Sequence, residues 1–169
     1  MPLNIKDLKI TSADFQPLGD LRDEHAGDKG NVLPQLTVSG VPKEATELAV
    51  ICHDPDAPLA NGFTHWTVYG IDPATTDLSD AQEKFRVGPN GAGDKQYYGP
   101  QPPAGHGKHH YYFWVYALDT AVEGTPTREE FLQKYAGNII EQNRIVGLYE
   151  NVCHASAVDG DSRPIAGAG

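Results

Sequence analysis

Apolar positions along the chain fall into short runs separated by clusters of turn-forming residues, a spacing that predicts strands rather than long helices. The turns are Pro17-Leu18-Gly19-Asp20, Gly27 to Asn31, Gly40-Val41-Pro42 and Gly88 to Asp94. Asn31 to Ser39 partly alternates, with Val32, Leu36 and Val38 apolar. Thr46 to Cys52 is almost continuously apolar and reads as a buried central strand. Thr64 to Ile71 and His109 to Leu118 are rich in aromatic and β-branched residues and read as two further strands. A helix is predicted in one place. Thr127-Arg128-Glu129-Glu130 has the spacing of a capping box, and Phe131, Leu132, Tyr135 and Ile139 then fall roughly on one face. That reading carries the helix from Arg128 to Ile140, with Gly137 interrupting it.

The length of 169 residues suits one domain, placed at 1–158, with the Gly/Ala/Pro-rich stretch 159–169 expected to be a flexible tail. A net charge of −10 argues against a nucleic-acid partner and against broad docking onto anionic lipid. It leaves room for a small anion in a locally positive pocket. No apolar run reaches the ~18 residues of a spanning helix, so stable membrane insertion is not expected. The first seven residues contain no apolar h-region, and a cytoplasmic location is the expectation. Cys52 and Cys153 are too few for a disulfide scaffold and read as small buried apolar residues.

Two segments concentrate reactive side chains. In the first, the predicted central strand ends in Asp54-Pro55-Asp56-Ala57-Pro58, and His65-Trp66 follow a short loop later. The prolines stiffen the exit, so both carboxylates are held in fixed directions. Asp-Pro pairs are also ordinary turn formers, which is the plainer account of this stretch. In the second, a Gly/Pro loop from Tyr98 to Gly107 feeds a strand that opens with His109 and His110. Alternation places His109, Tyr111 and Phe113 on one face and His110, Tyr112 and Trp114 on the other. By the same rule His65 shares a face with Thr67, opposite Trp66 and Val68. Imidazoles, a phenol and a nearby carboxylate that orients a ring make a cluster suited to an anion. Tyr112 to Tyr116 read as packing residues, His53 and His154 as ordinary hydrogen-bonded histidines, and His25 as solvated.

At these two segments the sequence resembles the phosphatidylethanolamine-binding protein family, also called Raf kinase inhibitor-like proteins, in its bacterial branch. The resemblance rests on Asp54-Pro55-Asp56-Ala57-Pro58 with His65-Trp66, and on Gly99-Pro100, Pro102-Pro103, Gly105 and His109-x-Tyr111. Weaker similarity extends from Ile10 to Tyr149. It implies a mainly β fold of two packed antiparallel sheets with Greek-key connections and one or two short late helices. It also implies a small cavity at one end that takes a phosphate-like or carboxylate group (phosphate, a phosphorylated headgroup or a nucleotide-like anion), with Asp54, Asp56, Pro58, His65, Trp66, Gly99, Pro100, His109 and Tyr111 as ligand-binding residues. A regulatory role, a kinase or protease as partner, and a homodimer belong to the same expectation. No catalytic residue, cofactor or metal is expected.

Family members usually carry Arg where this chain has His110, which is expected to partner the Asp56 region. Gln101 splits the proline run and bears on the cavity rim, and no long C-terminal helix is foreseen. With His65 and His109 supplying the positive charge, phosphate affinity is expected to rise from about pH 8 to about pH 6. Asp54 is read as a rim carboxylate with little weight in packing.

Another class of function competes. His106-x-x-His109-His110, with His65 and Asp54, contains the residue types of a metal-dependent or acid–base hydrolase. Strand neighbours such as His109 and His110 point apart and cannot share one ion. A serine hydrolase is disfavoured by the lack of a Gly-x-Ser-x-Gly elbow. An inhibitor acting through its outer surface is the remaining alternative.

Overall fold

The computed structural model describes residues 4–152. In chain order the elements are strands β1 (Lys9–Thr11), β2 (Gly19–Asp20), β3 (Thr37–Ser39), β4 (Glu47–Asp54) and β5 (Phe63–Ile71), helix α1 (Ala81–Lys84), strands β6 (Arg86–Val87) and β7 (His109–Leu118), helix α2 (Arg128–Tyr135) and strand β8 (Ile139–Tyr149). Six strands form one sheet in the order β2-β8-β7-β4-β5-β6, and β1 pairs with β3 in a second sheet. The stretch β7-β4-β5-β6 is a Greek key: three consecutive antiparallel strands, and a fourth that returns after the long 88–108 connection to lie beside the first. All neighbours are antiparallel except the two-residue β2, which pairs parallel to β8 at one edge.

The continuous apolar run becomes the centre of the large sheet because both of its faces are covered. One face carries Leu48, Val50, Cys52, Trp66, Val68 and Phe113, against which Ile10 of β1 and Val38 of β3 pack. The other carries Ala49, Ile51, Tyr69 and Tyr116 under Phe131 and Tyr135 of α2. Every residue of β4 is buried, so its backbone groups must all be paired in the sheet.

The late helix starts where the capping box predicts, with Glu130 N–H donating to Thr127 Oγ1 at 3.2 Å. It stops earlier than expected. After Tyr135 a single 3₁₀ turn passes Gly137, and Ile139 to Tyr149 is a strand, not the end of a helix. The open edge of β7 decides this. Ten residues of β7 take partners on β8, a gain no helical extension offers, and the segment is rich in β-branched Ile139, Ile140, Ile145 and Val146. The strand read over Asn31 to Ser39 shrinks to Thr37–Ser39, and the one-turn α1 was not foreseen. Cys52 is buried, and burial pushes its thiol well above the usual range. Cys153, His154 and the 159–169 tail lie outside the described residues.

Candidate functional site

The ends of β4, β5 and β7 meet at one rim of the large sheet and, with the 98–103 loop, enclose a cavity of about 290 Å³. Asp54 is the last residue of β4, and His109 the first of β7. Alternation puts Asp54 on the face of Cys52, and His109 on the face of Tyr111 and Phe113; these are the same face of the sheet. Asp54 is buried, with 2% of its surface exposed, and so is His109. His109 Nδ1–H donates to Asp54 Oδ2 at 2.7 Å, and Asp56 N–H donates to Asp54 Oδ1 at 2.7 Å. Asp54 is therefore a buried orienting group, which corrects its reading as a rim carboxylate.

His65 reaches the cavity by a route that alternation misses. Cys52 pairs with Trp66, but His53 pairs with Thr64, so His65 is the extra residue of a β-bulge. The bulge takes His65 off the face of Thr67 and lays its ring edge-on to Tyr111, with centroids 5.1 Å apart. His65 Nδ1–H donates to the carbonyl of Tyr98, leaving Nε2 as the ring atom with capacity for a ligand. Burial lowers the pKa of this ring from 6.5 to about 4, against the opposing pull of the Tyr98 carbonyl and Asp54. His65 is thus neutral at pH 7, and the rise in affinity between pH 8 and pH 6 cannot come from its titration. Burial likewise pushes the Tyr111 hydroxyl far above its usual value, so it stays protonated as a donor.

Of the residues expected around the cavity, Asp54, Pro58, His65, His109 and Tyr111 line it. Trp66 does not. Its indole is wholly buried in the core and donates from Nε1 to Gln82 Oε1 at 3.2 Å, a partner supplied by the unforeseen α1. Gly99 and Pro100 stand behind the wall. Gly99 N–H donates to Asn31 Oδ1 at 2.6 Å, and the Pro100 carbonyl accepts from Gly27 N–H at 3.0 Å. Any Cβ at Gly99 would lie 2.0 Å from the His25 carbonyl oxygen, which is why glycine is needed there.

Asp56 is exposed and braces the neighbouring strand. Its Oδ2 accepts from both the backbone N–H and Nδ1–H of His110, each at 2.7 Å. Burial opposes ionisation of Asp56, but these hydrogen bonds outweigh it and hold its carboxyl below the usual range. His110 thus partners the expected carboxylate on the face away from the cavity.

The sequence did not single out Phe63, Tyr98 and Leu59, which complete the wall with Ala57, Gln101, Pro102 and Pro103. Tyr98 O–H donates to Gln101 Oε1 at 2.7 Å. Lys108 is tied to Asp20 at 2.9 Å and does not line the cavity. His25, read as solvated, is buried, with Nδ1–H donating to the Val32 carbonyl at 2.8 Å. Among the described residues no group of three or more His, Cys, Asp or Glu side chains converges as a metal cage. No helix among them is long and apolar enough to cross a membrane.

A Greek-key β protein with a histidine–aspartate cavity at one sheet end is thereby defined. Residues 11–150 match the phosphatidylethanolamine-binding protein family model, and the chain belongs to that family. The UPF0098 protein of Methanothermobacter thermautotrophicus is 36% identical over 144 residues, spanning 80% of this chain and 93% of that one. The chain spans about half (51%) of a second relative, from Archaeoglobus fulgidus, at 34% identity over 85% of this chain. Among solved structures, a phosphatidylethanolamine-binding protein homolog from Chlamydia trachomatis is 34% identical with a TM-score of 0.78, covering 85% of this chain and 97% of that one. Escherichia coli YbcL is 30% identical at the same TM-score of 0.78, covering 86% and 99%. A relative from Mycobacterium tuberculosis, 40% identical over 124 residues (71% of this chain, 61% of that one), carries a lipoprotein name.

Proposed function

We propose that this protein is a binding module and not an enzyme, and that its cavity takes one small anionic group such as phosphate or a phosphorylated headgroup. The observation that carries this reading is the pairing of Tyr111, a permanent donor, with His65, whose Nδ1 is already spent on Tyr98. A bound anion accepts from the Tyr111 hydroxyl. It accepts from His65 Nε2 only when that ring is protonated, or else donates its own acid proton there. Either way binding is coupled to a proton. Asp54 lies close enough to repel an anion in the absence of that proton. The apolar wall of Pro58, Phe63 and Pro102 excludes water and strengthens the few polar contacts.

The role served is regulatory: ligand occupancy changes the surface offered to a protein partner, a kinase or a protease. A cytoplasmic setting and a homodimer are part of this proposal, with cell fractionation and sedimentation as their checks. Calorimetric titration with inorganic phosphate at pH 7 and pH 5, in buffers of different ionisation heat, tests the binding reading. Tighter binding at pH 5 with net proton uptake supports it. No saturable heat at either pH defeats it.

A further inference from the structure

One arrangement at the cavity mouth is not used by the anion reading. His106, in the exposed loop before β7, presents Nδ1 to His109 Nε2 at 2.7 Å. The two rings meet at 61° with centroids 5.0 Å apart. One hydrogen bond thus brings together two imidazole nitrogens from residues three apart in sequence. His109 is held from behind, because its Nδ1–H is committed to Asp54. A histidine whose far ring N–H is fixed by a carboxylate, and whose near nitrogen faces a second imidazole, has the donor arrangement of a transition-metal ligand. Strand geometry sends His110 to the opposite face, so the pair is His106 and His109 and excludes its neighbour.

We propose that His106 and His109 form a two-histidine site for a borderline divalent cation of the zinc type, with Asp54 orienting His109 from outside the coordination shell. Zn–N bonds of about 2.0–2.1 Å in a tetrahedral site require the two nitrogens to part to about 3.3 Å. The loop can supply this movement. His106 is flanked by Gly105 and Gly107 at φ of 76° and 82°, and neither has a neighbour within 4 Å of where a Cβ would stand. When His109 carries one proton, at Nδ1, the proton between the rings sits on His106 Nδ1. Metal entry shifts it to the solvent-exposed Nε2 of the same ring, and no net ionisation is needed. The remaining coordination positions open toward solvent and the cavity, where water or an anion completes the shell. With only two protein ligands, affinity is below that of a structural zinc site.

The test uses the untagged 169-residue chain in a phosphate-free, non-chelating buffer, titrated calorimetrically with ZnCl₂. This keeps the outcome separate from the anion reading, which a failure here leaves standing. One equivalent of Zn²⁺ is expected to bind, with at least a tenfold loss in His106→Ala and little change in His110→Ala. His106 is exposed, so its removal leaves the fold intact. Absence of saturable binding, equal affinity in His106→Ala, or an equal loss in His110→Ala overturns the proposal.

Discussion

Asp54 and His109, 55 positions apart in sequence, form a buried hydrogen-bonded pair at 2.7 Å that closes the end of the large sheet. The pair joins β4 to β7 beyond their last backbone partners, His53 and Tyr112. Its consequence is that one buried group both holds the sheet end together and lines the cavity of the proposed anion site. Asp54→Ala removes the acceptor of both His109 Nδ1–H and Asp56 N–H and leaves the buried His109 donor without a partner. A loss of about 3 kcal/mol in urea unfolding is expected, as for other broken buried pairs. Asp54→Asn, which can still accept one bond, is expected to lose about half as much.

Acid sensitivity follows from His65 and His53. Burial lowers both from 6.5 to about 4. The unfolded chain therefore takes up protons first as pH falls, and stability drops between pH 6.5 and pH 4. For His65 the loss below that window amounts to ~3 kcal/mol. Thermal melts at half-unit steps check this, and His65→Gln is expected to flatten the slope. Asp56 acts in the same sense but lower down: its depressed carboxyl adds stability that is lost as pH falls from the ordinary carboxylate range through its lowered folded value.

Trp66→Phe separates core from cavity. The variant keeps most of the buried ring but leaves Gln82 Oε1 without the indole donor. A cost of about 1 kcal/mol is expected, with phosphate binding unchanged within twofold.

Gly99→Ala acts on the wall from behind. A Cβ at this position would meet the His25 carbonyl oxygen at 2.0 Å and Gly27 N at 2.8 Å. Backbone, not a flexible side chain, stands in the way, so the 98–101 loop must move. A destabilisation of at least ~2 kcal/mol is expected, measured as a lower Tm together with weaker phosphate binding.

His110→Arg puts a permanent charge beside Asp56. The present ring is half-exposed and holds Asp56 through Nδ1. A permanent charge with a planar fork keeps that contact wherever the Asp56 carboxyl is ionised. A gain of no more than ~1 kcal/mol is expected, diminishing in high salt. Unfolding at low and high ionic strength reads it.

Local patterning was enough to place β4, β5 and β7, the start of α2 and the two loops that carry the site. Each depends on neighbours in sequence: a continuous apolar run, aromatic and β-branched clusters, a capping Thr, prolines that stiffen an exit. Alternation also put His109 and Tyr111 together correctly. It could not place His65, because a bulge depends on how many residues β4 and β5 contribute to one ladder. Nor could it show that Asp54 is buried, that Trp66 belongs to the core, or that Ile139 to Tyr149 leaves the helix to cover the edge of β7. Those outcomes, and the low proton affinity of His65, come from what lies across the sheet, where burial and pairing between distant segments outweigh the preference of any single stretch.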